Sequence, residues 1–194
     1  MLILVRHGQT TRNLEGRLSG RVDVELTPLG IRQADALASA VRMIGRPDLV
    51  ISSPLLRARQ TASAFGVAIQ VDPRWIELDY GELEGRLPAE VPQAVWQRWR
   101  ADTSFAPEGG ESMAEVAARV RQACSETIEA ATDGLIVVVT HVSPIKATAA
   151  WALGVDDSVV WRMFVAPASL TRIAVRQGVP SLHSFNETAH LLGC

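Results

Sequence analysis

The sequence predicts an α/β fold, a three-layer α/β/α sandwich with a mostly parallel central sheet and helices on both faces. Two observations carry this expectation. Short apolar runs alternate with stretches of helical spacing, the pattern of a sheet wrapped by crossover helices. Two of the runs are apolar almost throughout, as strands covered on both faces must be. With 194 residues and 47% hydrophobic content, the chain can bury one sizeable core, so residues 1–194 read as a single domain.

Leu2-Ile-Leu-Val5 is the first strand and runs straight into Arg6-His7-Gly8. Residues 9–26 are polar and glycine-containing and read as a long functional loop. Thr27-Pro28 supplies a helix N-cap and first residue, and Leu29, Gln33, Ala36, Leu37, Ala40, Val41 and Ile44 continue the helical spacing. Gly45 and Pro47 stop it. Asp48–Ser53 is the second strand, and Ser53-Pro54 reads as a second cap-plus-proline start, with Arg57 in the first turn. Val67–Val71 is a short third strand.

Residues 74–85 interleave Glu77, Asp79, Glu82 and Glu84 with aromatic and aliphatic side chains, a setting suited to a general acid. Residues 86–110 are irregular around one helical piece whose Trp96 and Trp99 face a core. Ser112-Met-Ala-Glu115 is a capping box opening a helix over 113–132, which ends at Asp133-Gly134. Leu135–Thr140 is the most apolar strand and runs into His141. Ser143-Pro144 then reads as the start of a helix through Trp151. Val159–Val165 and Ser169–Val175 read as late strands, antiparallel at the edge, and His183 and His190 as surface residues of a polar tail.

The formal net charge is −2 with signs well mixed, which argues against a nucleic-acid or membrane-surface partner. No apolar run has the length of a membrane span, and Met1–Val5 lacks the features of a signal peptide; the expected location is cytoplasmic. Cys124 reads as a small core residue and Cys194 as a mobile one, with no disulfide framework or metal motif between them.

The chemistry gathers where strands end. In open α/β sheets ligands bind beyond the carboxyl ends of the strands. Arg6 and His7, Arg57 and His141 all fall there. Two arginines and two histidines around one point form a cage for a tetrahedral dianion, with a neutral imidazole available to attack phosphorus. The glycine at Gly8 would let the backbone turn and approach such a ligand. Taking His7 and His141 as ligands of a metal hydrolase is the competing chemical reading.

Arg6-His7-Gly8-Gln9-Thr10 with Asn13, Ser19-Gly20 before Leu26-Thr27-Pro28-Leu29-Gly30, Ser52-Ser53-Pro54 with Arg57 and Thr61-Ala62, Glu77 before Tyr80-Gly81 and Glu84-Gly85, Gly109-Gly110-Glu111-Ser112, and Thr140-His141 occur in one order across most of the chain. As a set they resemble the histidine phosphatase superfamily, also called phosphoglycerate mutase-like. The resemblance implies a phosphomonoester hydrolase that needs no metal or other cofactor and acts through a phosphohistidine on a small phosphorylated metabolite. His7 would be the nucleophile, and Arg6, Arg57 and His141 would stabilise the phosphoryl oxygens. Glu77 would be the acid and base, with Asp79 the runner-up. Gly8, Thr10, Asn13, Ser19, Gly20 and Val142 would complete the phosphate site.

Residues 86–110 are compact and hold no Arg-Arg pair, and Thr140–Lys146 and Ser184–Leu191 are similar to the branch of α-ribazole and sugar-phosphoglycerate phosphatases. A cofactor-dependent phosphoglycerate mutase is the alternative, and a catalytically inactive phosphate-binding module a further one. Substrate choice is expected to lie in Ser19–Asp23, Trp75, residues 86–110 and the segment after His141. An exposed edge strand would permit a homodimer.

Overall fold

A computed structural model describes residues 1–194. Six strands form one sheet: β1 (Leu2–Arg6), β2 (Leu49–Ser52), β3 (Ile69–Val71), β4 (Ile136–Thr140), β5 (Leu170–Arg176) and β6 (Val179–Glu187). Their order is β3-β2-β4-β1-β5-β6. The first four are mutually parallel, and β5 and β6 are antiparallel additions beyond β1. Arg6 and Thr140 are register partners, so β1 and β4 end level with each other.

Strand alternation divides the core into two. Leu2 and Leu4 of β1 and Ile136 and Val138 of β4 join one buried cluster. Ile3 and Val5, with Val137 and Val139, join the other. Helices α2 (Pro28–Ile44) and α3 (Leu56–Ser63) cover the second face through Leu37, Val41, Ala58 and Ala62. Helices α5 (Met113–Asp133) and α6 (Val142–Leu153) cover the first through Val116, Val120, Cys124 and Ile145. This is the three-layer arrangement expected of a sheet whose strands are apolar on both faces.

The local signals at α2 and α5 act as expected. Thr27 Oγ1 accepts the Gly30 N–H at 3.0 Å, and Ser112 and Glu115 close a reciprocal capping box. Two other starts differ. Helix α3 begins at Leu56, two residues beyond Pro54, and its first N–H goes to Asp23 Oδ1 at 2.6 Å. Helix α6 begins at Val142 with His141 at the cap, so Ser143-Pro144 lie inside its first turn, where proline removes no needed donor.

The loop over residues 9–26 contains a one-turn helix, α1 (Thr11–Leu14), capped by Thr10. Residues 159–165 do not form a strand. Asp157–Arg162 is a 3₁₀ segment started by the Asp156 side chain, and it buries Val160 rather than alternating faces. The second edge strand is instead β6, so His183 sits exposed on a strand. His190 is half-buried and its Nε2 lies 2.9 Å from the Ala168 carbonyl. Helix α4 (Gln93–Ala101) stacks Trp96 on Trp99, whose ring is fully buried. No helix is long and apolar enough to cross a membrane.

Candidate active site

The parallel register delivers His7 and His141 side by side at the carboxyl ends of β1 and β4, their ring centroids 5.1 Å apart. Both imidazoles are buried. His7 Nδ1 lies 2.7 Å from the Gly8 carbonyl, which accepts only if Nδ1 carries the proton. That fixes the tautomer and leaves Nε2 with a lone pair. Burial holds the His7 pKa well below its usual 6.5, and the charges of Arg57 and Arg6 push it the same way. The ring is therefore neutral at pH 7.

Arg57 comes from the first turn of α3 and is almost wholly buried. Its Nε donates to His7 Nε2 at 3.2 Å, while Nη1 and Nη2 donate to the Val22 and Gly20 carbonyls at 2.8 and 2.6 Å. Arg57 so ties the loop of residues 20–22 to the His7 ring. Arg6 Nη1 donates to the Val165 carbonyl at 2.6 Å, but its buried Nε has no partner. Burial lowers the Arg6 pKa to about 10, against the opposing pull of Glu77.

His141 is anchored through the other nitrogen. Its Nε2 lies 2.7 Å from Ser53 Oγ, just beyond β2, and its Nδ1 is buried without a partner. Burial again lowers its pKa well below the usual range, followed by the charge of Arg57. Buried polar atoms normally find a hydrogen-bond partner. Arg6 Nε and His141 Nδ1 are two that do not, and they stand on adjacent strands around one point.

Glu77 is buried against the start of α6, next to His141. Oε1 accepts the Leu78 and Ser143 N–H groups at 2.8 and 3.1 Å, and Oε2 accepts that of Val142 at 3.0 Å. The Glu77 side chain thus caps α6, the helix that His141 opens, by taking up its first free N–H groups. The Glu77 carbonyl is in turn held by Arg21 and Arg119, each at 3.4 Å, and both arginines pair with Glu111. Asp79 pairs with Arg21 at 3.3 Å, on the outer side of this network.

Of the other expected site residues, Asn13 borders the same cleft as Arg6, and its Oδ1 accepts the Thr10 N–H at 3.0 Å. Thr10 is fully buried and spends its hydroxyl on capping α1. Gly8 approaches a helix here: a Cβ on it would lie 2.4 Å from the Gly30 carbonyl, and its N–H donates to Thr61 Oγ1. Gly20 gives its N–H to Glu84 and its carbonyl to Arg57. The Val142 N–H is taken by Glu77. Ser19 is half-buried with an unpartnered hydroxyl. Trp75, expected to help choose the substrate, is wholly buried in the core beneath α5, so its ring meets no ligand.

Two residues were missed. Ser53 anchors His141, and Lys146, one turn into α6, borders the cleft. Ser53 stands in the Ser52-Ser53-Pro54 motif, but a serine before a proline reads as a helix cap rather than as an anchor for a histidine 88 residues away. Lys146 falls only within the segment after His141 expected to choose the substrate.

The family model for the histidine phosphatase superfamily (branch 1) matches residues 2–188. The chain belongs to this superfamily. It is 36% identical over 198 residues to Bifunctional protein Rv2228c of Mycobacterium tuberculosis, a match covering 98% of this chain and 54% of that one. The chain thus spans about half the length of the curated relatives of that type. It is 33% identical over 198 residues to Phosphoserine phosphatase 1 of Hydrogenobacter thermophilus, covering 98% of this chain and 93% of that one. The solved structure of phosphoserine phosphatase in complex with 3-phosphoglyceric acid, from Entamoeba histolytica, superposes with a TM-score of 0.89 at 30% identity and 98% coverage of both chains. Within a histidine phosphatase fold, the convergence of Arg6, His7, Arg57 and His141 gains a chemical frame.

Proposed function

We propose that this chain is a phosphomonoester hydrolase that acts through a phosphohistidine on His7 and takes a small phosphorylated metabolite. One observation carries the reading: His7 is a buried, neutral imidazole whose Nδ1–H is held by a backbone carbonyl and whose Nε2 lone pair faces arginine. A neutral ring in that tautomer is a competent nucleophile at neutral pH. The phosphatase names of relatives matched along almost the whole chain support it.

In the proposed sequence, Arg57 Nε–H turns from His7 Nε2 to a phosphoryl oxygen as the ester enters. Nε2 then attacks phosphorus in line. The bond from phosphorus to the ester oxygen breaks, and Glu77 protonates the departing alkoxide. The alcohol leaves. Water attacks the phosphohistidine, gives its proton to Glu77, and releases phosphate with His7 restored. Arg6, Arg57 and His141 stabilise the charge that builds on the transferred group. These residues supply the positive charge from within the chain.

The test is phosphate release from an aryl phosphate and from alkyl phosphates, with a chelator present. His7→Ala is expected to lose on the order of 10⁴-fold or more, as removal of a covalent nucleophile does. Near wild-type turnover in that variant would refute the mechanism. Glu77→Gln is expected to lose about 10²–10³-fold on alkyl phosphates and far less on the aryl ester, whose leaving group needs no proton. An equal loss on both would remove Glu77 from the acid role.

A further inference from the structure

Lys146 is the only lysine in the chain, among 19 basic residues. Every salt bridge in the molecule is made by an arginine instead. The Lys146 ammonium makes no hydrogen bond or ion pair with any protein group. Yet it is not a surface residue: it is half-buried in α6, one helical turn after Val142. Helical side chains lean toward the N-terminus of their helix, so Lys146 reaches back toward the end of α6 that carries His141. A half-buried ammonium without a partner is costly, and its pKa is lowered by that burial, with Glu77 opposing and Arg6 adding to the effect.

Of the two spaces it borders, one is a small pocket lined mostly by apolar side chains and the other is suited to anions. A cleft of about 560 Å³ is bordered by Arg6, Asn13, Arg17, Lys146 and Phe164, and no aspartate or glutamate lines it. That volume falls within the range of small-molecule sites and far exceeds one phosphate. Arg17 is already engaged with Glu15 and the Gly85 carbonyl, and Arg6 stands beside His7 at the end of β1. Glu77, the nearest carboxylate in charge terms, spends both oxygens on backbone N–H groups. Lys146 is therefore the uncommitted cation of the cleft, which it shares with Arg6 of the phosphoryl cage. Phe164, well exposed on the rim, adds an apolar surface for the carbon skeleton.

We propose that Lys146 binds a second anionic group of the substrate, so that the preferred esters carry another negative charge a few atoms from the phosphate. The inference rests on the hydrolase reading above. The second anion is a carboxylate or a second phosphate, and matched pairs separate them. 3-Phosphoglycerate differs from glycerol 3-phosphate in its carboxylate, and fructose 1,6-bisphosphate differs from fructose 6-phosphate in its second phosphate.

The measurement is kcat/KM on all four esters and on an aryl phosphate, for the wild type, Lys146→Met and Lys146→Arg. The wild type is expected to prefer the doubly charged member of one pair by about 10–100-fold, the range for a hydrogen bond to a charged group. Lys146→Met should cut that ratio about tenfold or more, chiefly through KM, and Lys146→Arg should keep much of it. The pair that responds names the anion. A preference that persists in Lys146→Met overturns the proposal. So does an equal loss on both members of a pair, which would make Lys146 a structural counter-charge for Glu77. A wild type without preference in either pair also overturns it, while His7-dependent release from the aryl ester leaves the hydrolase reading standing. Absence of that release defeats the hydrolase reading, and the Lys146 proposal falls with it.

Discussion

The two histidines invite direct comparison. Each follows an apolar parallel strand, each is buried, and they meet at 5.1 Å. They differ in what holds them. His7 is anchored through Nδ1 by a main-chain carbonyl, leaving Nε2 unprotonated and facing Arg57. His141 is anchored through Nε2 by the Ser53 hydroxyl, leaving Nδ1 unpartnered. A carbonyl can only accept, so it dictates the His7 tautomer. A hydroxyl both donates and accepts, so Ser53 leaves His141 free to present Nδ1 with or without a proton. A nucleophile needs one nitrogen reliably bare, whereas a group that only meets phosphoryl oxygens can adjust. The same strand-to-histidine pattern thus presents two different ring nitrogens, which suits the two roles proposed for His7 and His141.

This contrast can be broken from one side only, because no side-chain substitution removes the Gly8 carbonyl. Ser53→Ala removes the anchor of His141 and leaves that of His7. The expected loss is about tenfold in kcat, the worth of one hydrogen bond of roughly 1–1.5 kcal/mol, with trapping of phosphate on His7 retained. An unchanged kcat, with a melting temperature near wild type, would show that the hydroxyl does not set the His141 ring.

How far the sequence reveals the site follows the same line between local and distant contacts. Arg6, His7, Arg57 and His141 were legible because each stands at or just past the end of a strand, and sheet geometry sends strand ends to the ligand. The starts of α2 and α5 were legible because Thr27 and Ser112 cap their own helices. The starts of α3 and α6 were misplaced because their caps come from afar. Asp23 supplies one across 33 residues and Glu77 the other across 65. No window of the sequence contains such a pair. The same reason hid the roles of Glu84 and Glu111, which hold Gly20 and the arginines under Glu77. Residues 159–165 misled differently. Their apolar content matched a strand, but the Asp156 side chain starts a 3₁₀ turn that buries Val160 without any partner strand.

The smaller expected effect concerns stability and pH, and it tests whether both rings share one electrostatic state despite their different anchors. Each has a folded pKa well below 6.5, from burial first and arginine charge second. In the unfolded chain both return to about 6.5. Below that pH the unfolded state binds protons that the folded state refuses, so stability rises with pH there. The contribution of the neutral rings is complete above about pH 6.5. It is lost as pH falls below that value, until the depressed folded pKa values are reached. Asparagine places its amide nitrogen near the position of Nδ1, and glutamine near that of Nε2. His7→Asn with His141→Gln therefore keeps both anchoring bonds while removing both titrations. For a chain of this size about 1 kcal/mol moves the melting temperature by roughly 2–4 °C. The wild type should lose several degrees more than the double variant between pH 7.5 and pH 5.0. Equal losses in the two would place the acid sensitivity in other groups and end the claim that both imidazoles are held neutral by burial.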